Sequence, residues 1–206
     1  MSRVVILGAG TALDDAWAVA SELFSEAQRL PLVTCDQFNF DLAPLLSAHA
    51  PGQTRVFVAM DGRAVNDVRH QLITRVQLAG YPLVSLVAPG VTLDPAAEIA
   101  GNVYIGPGSN VGPQCSLGTG CWLGRAVMLE RGVSLGTCVT LGSAVVLGEQ
   151  VSVGAGATLG TGSLALAGSA VGKRCEWLLG ATLPSQLADY SFYDPVLPEG
   201  ARIYRH

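Results

Sequence analysis

Between Val87 and Leu183 apolar residues recur every six positions. The series is Val87, Leu93, Ile99, Ile105, Val111, Leu117, Leu123, Leu129, Leu135, Leu141, Leu147, Val153, Leu159, Ala165, Val171, Trp177 and Leu183, and the frame never slips. The next position is often glycine, and the fifth is small, as in Val103, Ser109, Cys115, Cys121, Val127, Ala157 and Cys175. A fixed period of six predicts a parallel β-helix. Each hexad is one side of a triangular coil, so residues eighteen apart stack at the strand spacing of about 4.8 Å. Leaders and fifth residues point inward, and glycine supplies turn angles closed to other residues. An α-helix would need three-to-four spacing and would not tolerate this much glycine.

Upstream, the period changes. Arg3 to Leu7 is a β-branched run leading into Gly8-Ala9-Gly10-Thr11, and a helical pattern follows over Leu13 to Gln28, with Trp17, Ala20, Leu23, Phe24 and Ala27 on one face. Pro31 to Asp36 reads as a second strand, Asp41 to Ala48 as one or two helical turns, and Arg55 to Met60 as a third strand. Ala64 to Leu78 reads as a helix with Val68, Leu72, Ile73 and Val76 buried and Gly80 as its stop, and Pro82 to Val87 as a fourth strand. Strands alternating with helices predict a small parallel α/β domain over 1–86. The repeat occupies 87–184, and the aromatic, proline-containing tail 185–206 reads as a cap over the last coil.

Composition narrows the function classes. Half of the 206 residues are hydrophobic and 14% are charged, which describes a well-buried globular chain. Charge is scarce in the repeat, so self-association is the simplest cover for its outer faces. A net charge of −4 offers no basic stripe to nucleic acid. No run reaches membrane-spanning length, and Met1 to Leu7 is too short for a signal peptide. The five cysteines form no CxxC pair, which fits a reducing, cytoplasmic setting. Cys115, Cys121 and Cys175 take the inward fifth position and read as small core residues, not metal ligands.

The candidate chemistry is sparse. Gly8, Gly10 and Thr11 sit where strand meets helix, a place for a phosphate or simply a tight turn. Asp36, at the end of strand two, is a candidate acceptor for a ribose hydroxyl, and Asp61 borders the same crevice; each alone reads first as a solvated loop residue. Arithmetic in steps of eighteen puts Arg131, Glu149 and Ala167 in one column with Glu130 beside its base. Such a column is either a site or a ladder ion pair of little energetic worth. Lys173 and Arg174 are adjacent cations suited to the phosphates of a long cofactor, or an ordinary solvated corner.

The motifs VVILGAG (Val4 to Gly10), VFVAM (Val56 to Met60) with Arg69 downstream, VMLERGVSLG (Val127 to Gly136) and WLLGATL (Trp177 to Leu183) lie in one unbroken frame. Together with Pro82 to Gly112 they make residues 3 to 183 resemble the bacterial hexapeptide-repeat sugar O-/N-acyltransferases, which include sialic-acid O-acetyltransferases and bacillosamine-type N-acetyltransferases. The resemblance implies a Rossmann-like N-terminal domain that binds a nucleotide-sugar, followed by a left-handed β-helix that forms homotrimers. It implies acetyl-CoA, or another acyl-CoA, as co-substrate in the groove between neighbouring β-helices, with no metal. The family's catalytic histidine falls on Arg131, with the adjacent acid kept as Glu130. Its second histidine falls on Thr140, and the glycine whose N–H faces the thioester falls on Glu149. The resemblance places Thr140, Gly142, Gly148, Ala167, Lys173 and Arg174 along the cofactor and Gly8, Gly10, Thr11, Asp36, Asp61 and Arg69 at the nucleotide-sugar.

Acylating a hydroxyl at neutral pH draws roughly 100- to 10,000-fold from a positioned base. Arg131 cannot be that base, because guanidinium stays protonated. Glu130 can, once buried. An amine acceptor tolerates the loss better, and a backbone N–H can still polarise the thioester. Two expectations follow: an acyltransferase acting on a nucleotide-linked amino sugar in surface-glycan assembly, and a non-catalytic trimeric relative that binds a ligand or partner.

Overall fold

The structure, a computed structural model, describes residues 3–33, 38–62 and 64–202. A three-stranded parallel sheet opens the chain, with β1 (Arg3–Gly8) between β2 (Ala27–Pro31) and β3 (Thr54–Ala59). Helices α1 (Gly10–Leu23), α2 (Ala43–Ala48) and α3 (Asp67–Leu78) connect and flank it. Val4–Leu7 and Val56–Ala59 are essentially inaccessible, so this small sheet has its own core. A parallel bridge from Val56 to Leu83 begins a fourth strand before the chain enters the solenoid.

Several boundaries differ from the sequence reading. Helix α1 stops at Leu23, where Phe24 turns extended and its N–H still reaches the Ala20 carbonyl. Its buried face is Ala12, Leu13, Ala16, Val19 and Ala20, while Leu23 is exposed. The second strand comes earlier than expected because it is an edge strand, largely exposed and polar, which periodicity cannot register. Helix α3 starts at Asp67 because Ala64, Val65 and Asn66 all hold positive φ. Such angles cost a side-chain-bearing residue about 1–2 kcal/mol each.

From Leu86 onward the chain forms a parallel β-solenoid. Its two-residue strands, with the longer strands of a C-terminal hairpin at the end of one sheet, make three sheets of eight, five and six strands. Register pairs lie eighteen apart as far as Glu176, as in Tyr104–Trp122–Thr140–Thr158–Glu176, and sixteen apart in the last coil. The leaders from Ile105 to Leu183 and the fifth-position residues Val103, Cys121, Val127, Val133 and Val139 form one continuous buried column. At the first coil the column is open: Leu93 is 37% exposed. The pairing also outlasts the hexad frame. Gln186–Leu187 stack on Ala170–Val171, Phe192 pairs with Glu176, and a closing antiparallel hairpin joins Ser191–Asp194 to Leu197–Arg202.

The recurrent second-position glycines are present for closeness rather than for φ. A Cβ on Gly154 would lie 2.5 Å from the Lys173 amide nitrogen of the next coil. Left-handed φ belongs to the fourth position, held by Gly108, Gly120, Gly132 and Gly156 but also by Asn102, Gln114, Ala126, Cys138 and Ala144.

The N-terminal unit covers the first face of the solenoid, whose outward residues are Leu86, Tyr104, Trp122, Thr140, Thr158 and Glu176. Leu86, Tyr104 and Trp122 pack with Ile6, Leu13 and Phe57. Buried Asn102 continues the β3 edge with its side chain: Val58 N–H donates to its Oδ1 at 2.6 Å, and its Nδ2 donates to the Val58 carbonyl at 3.0 Å. The corner opposite this face carries Arg131, Glu149 and Ala167.

Candidate active site

The structure distributes the sequence-selected residues over distinct places. Glu130, Arg131, Glu149, Gly148 and Ala167 gather at the corner remote from the N-terminal unit. Stacking fixes this: Leu129 pairs with Leu147, and the Gln150 N–H donates to the Arg131 carbonyl at 2.9 Å. Gly148 brings the next coil close, since a Cβ there would lie 2.7 Å from the Ala167 nitrogen. The corner opens on a groove of about 290 Å³ lined by Asn110, Gly112, Met128, Glu130, Arg131 and Glu149. Both carboxylates and the guanidinium are exposed. Among the described residues no ion pair joins Arg131 to Glu130 or Glu149; its Nη1 lies 3.4 Å from Gln114 Oε1. The coil-to-coil ladder uses the N–H groups of Glu130, Gly148 and Gln150 but not that of Glu149. That donor stands at an exposed corner position of the groove.

A second cluster lies between the N-terminal unit and the covered face. Thr11, Asp15, Asp61, Arg69, Trp122 and Thr140 line a crevice of about 160 Å³ at the carboxyl ends of β1 and β3. Gly8 and Gly10 precede Thr11 in the turn beside it and do not line it. A Cβ on Gly8 would collide with the Ala59 carbonyl at 1.8 Å, and Gly10 holds φ +61° where the chain turns into α1. Asp36 lies outside the described residues.

Arg69 is 1% exposed, and its guanidinium is turned to protein acceptors. Nη1 donates to the Met60 carbonyl at 3.2 Å; Nη2 donates to Asn66 Oδ1 at 2.9 Å, the Cys138 carbonyl at 3.0 Å and Thr140 Oγ1 at 2.7 Å. Nε is buried without a partner among the described residues. Asn66, also buried, donates from Nδ2 to the Gly156 carbonyl and Thr158 Oγ1, both at 3.0 Å, and accepts from Thr140 Oγ1 at 2.7 Å. Thr140 is therefore tied to the N-terminal unit and stands apart from the Glu149 corner. Burial lowers the Arg69 pKa, which the nearby Cys138, Cys121 and Asp61 oppose.

Lys173 and Arg174 occupy another corner. Lys173 is exposed, while Arg174 bridges to Asp67 at the start of α3, with Nη2–Oδ1 2.8 Å and Nη1–Oδ2 3.0 Å. Gly142 marks the third corner, where a Cβ would lie 2.6 Å from the Thr161 nitrogen. The cysteines in the solenoid are buried; burial pushes the Cys121 thiol up to about 12, and its Sγ reaches the Gly136 carbonyl at 3.1 Å. Among the described residues no cluster of His, Cys, Asp or Glu could hold a metal, and no helix is long and apolar enough to cross a membrane.

Sequence reasoning passed over Asp15, Asn66, Trp122 and Glu176. A signal existed for Trp122. The residue before each leader points outward, and on the uncovered faces it is mostly small or polar: Asn110, Ser116, Ser134, Ser152. Every third such position from Leu86 to Trp122 is bulky, which marks a covered face.

No protein-family model matches the chain, and no curated protein matches it. Solved structures do. The acetyltransferase domain of PglB from Neisseria gonorrhoeae FA1090 superposes with a TM-score of 0.81 at 19% identity, covering 98% of this chain and all of that one. The same domain in complex with acetyl coenzyme A gives 0.68 at 19% identity, covering 93% and 96%. GDP-perosamine N-acetyltransferase from Caulobacter crescentus, as a histidine-to-alanine variant in complex with CoA and GDP-perosamine, gives 0.79 at 23% identity, covering 93% of each chain. Over nearly its whole length the chain shares the fold of these sugar acetyltransferase structures.

Proposed function

We propose that the chain is an acyl-CoA-dependent acetyltransferase acting on the amino group of a nucleotide-linked sugar, with the solenoid wound left-handed and assembled as a homotrimer. The carrying observation is the Glu149 N–H, a backbone donor left out of the coil ladder and set in the groove beside Glu130. Acyl-CoA supplies an activated thioester carbonyl. The Glu149 amide donates a hydrogen bond to its oxygen as negative charge grows there. Glu130 accepts the amine proton released as the new N–C bond forms, and the C–S bond breaks with CoA leaving as its thiolate. Lys173 is held as a phosphate contact; Arg174, paired through both Nη atoms to Asp67, steadies that corner.

The N-terminal crevice and the Glu130 corner lie on opposite sides of one chain's solenoid. A nucleotide-sugar held at Gly8, Gly10, Thr11, Asp61 and Arg69 therefore meets a Glu130 contributed by a neighbouring copy. Such a neighbour also provides the cover that the exposed Glu130 lacks in the single chain. Acetyl-CoA is expected to raise the melting temperature saturably. An unchanged melting temperature at millimolar acetyl-CoA overturns this reading.

Arg131 favours a second reading. A permanently charged guanidinium beside the reacting position suits a non-catalytic, ligand-binding relative. Binding of acetyl-CoA without turnover of any amino- or hydroxy-sugar nucleotide would select it.

A further inference from the structure

Arg131 lines the groove with its guanidinium almost uncommitted. Arg69, Arg75 and Arg174 each donate to protein acceptors at 3.2 Å or less. Arg131 has Gln114 Oε1 at 3.4 Å, beyond the ordinary range for an N–H donor to oxygen. Among the described residues it makes no ion pair with Glu130, its neighbour in sequence, or with Glu149, one coil above. A guanidinium is a planar fork of N–H donors, and most of this fork is open.

The backbone beneath it is fixed. The Gln150 N–H donates to the Arg131 carbonyl at 2.9 Å, and the Gly132 N–H donates to the Pro113 carbonyl at 3.0 Å, so this corner is clamped to the coils above and below. The groove of about 290 Å³ is thus lined from a rigid wall by two carboxylates and one cation. Opposite charges set side by side without neutralising one another suit a ligand that carries both. The proposed reaction brings an amino group to Glu130, which leaves Arg131 to meet an anion close to that amine. A diphosphate brings more negative charge than one guanidinium offsets with Glu130 and Glu149 beside it. A single carboxylate matches the fork with two parallel hydrogen bonds.

We infer that Arg131 binds a carboxylate borne by the acceptor sugar, so that the acceptor is an amino-uronic acid with its amino group at Glu130 and its carboxylate on the guanidinium. The inference rests on the reading of the chain as a nucleotide-sugar acetyltransferase and names the class of sugar it takes. The position at which the family resemblance expects a base instead selects the substrate.

Glucosamine and glucosaminuronate differ only at the exocyclic carbon, where the second carries a carboxylate. Ligand-observed NMR titration of the full-length protein with each, at millimolar concentration and low ionic strength, tests the inference without an acyl donor. The uronate should bind at least about tenfold more tightly, the lower end for hydrogen bonds to a charged partner. Arg131→Gln should remove that preference, and Arg131→Lys, which keeps the charge but not the fork, should keep only part of it. The position is exposed, and an unchanged melting temperature checks that both variants fold. No preference for the uronate, binding of neither sugar, or a preference that survives Arg131→Gln overturns the inference. A preference for succinyl-CoA over acetyl-CoA, lost in Arg131→Gln and found without any for the uronate, places the carboxylate on the acyl group and equally overturns it. The melting shift with acetyl-CoA is read separately in the wild-type protein: its absence sinks the transferase reading and leaves the Arg131-dependent preference measurable.

Discussion

Glycine has two separate uses in this chain, and a single-residue change can tell them apart. At the second hexad position there is no room, as at Gly154, where an added Cβ would meet the Lys173 nitrogen, Gly172 carbon and Lys173 Cα within 2.8 Å. Those atoms are backbone and cannot step aside. At the fourth position φ is positive but space is open, as at Gly168, with nothing within 4 Å of an added Cβ. Ala126 and Ala144 already occupy that conformation. Gly154→Ala should therefore cost about 2–3 kcal/mol in overpacking. Gly168→Ala should cost about 1 kcal/mol or less, because the left-handed penalty is partly offset by a less free unfolded chain. Chemical denaturation of the two variants checks this; the reverse order would sink the distinction. The sequence shows that glycine recurs but not why, because closeness of coils is a property of the stack and not of the hexad.

At the scale of the element, the outward residues of the covered face from Leu86 to Thr158 have exchanged solvent for the N-terminal unit, and Glu176, next in that column, is half-buried beside Phe192. Glu176 carries the cost: burial raises its carboxyl pKa above the ordinary 4.5. The folded state thus holds that proton more tightly than the unfolded state does. The penalty is absent below about pH 4.5 and grows as pH climbs from there through the raised folded value, so stability falls over that window. Glu176→Gln should lift the melting temperature relative to wild type, with a gap that widens as pH rises above the ordinary 4.5. A gap independent of pH would contradict the assignment. The same sheet shows where sequence legibility ends. The inward set, Ile105 to Leu183 in steps of six, was readable because burial repeats with the coil. The contacts of Asn66 with Thr140, Gly156 and Thr158 were not, because they join segments 74 to 92 residues apart through a turn of three left-handed residues that no local pattern announces. The polar edge strand Ala27–Pro31 escaped for a related reason: its partner, not its own side chains, makes it a strand.

At the scale of the whole molecule, the two halves of the proposed site do not face each other within one chain. Activity should then need two copies, and this is open to a mixing experiment. Glu149→Pro removes the N–H without disturbing the coil, since Pro113 already stands in the same column two coils below. It should lower turnover by about 100- to 1,000-fold, as for loss of an oxyanion donor. Trp122→Leu, impaired at the other half, should be partly rescued when the two variants are co-assembled, because some interfaces then pair an intact crevice with an intact corner. Co-assembled oligomers no more active than the separate variants would place both halves in one chain. Column arithmetic anticipated the gathering of Glu130, Arg131, Glu149 and Ala167. The same arithmetic sets Thr140 half a coil away from them; what it could not anticipate is that the N-terminal unit covers the side on which Thr140 stands.

That three-sidedness makes the chain behave like a threaded bolt. Deleting a single hexad anywhere between Arg131 and Glu149 would keep every inward contact type and still turn all later residues by one side, moving Glu149 from its edge to the next. Only whole turns preserve the bearing of what lies above. An uninterrupted frame is thus a compass setting for chemistry as well as a packing rule, and length variants should be tolerated in steps of eighteen residues while those of six or twelve fold yet point the wrong way.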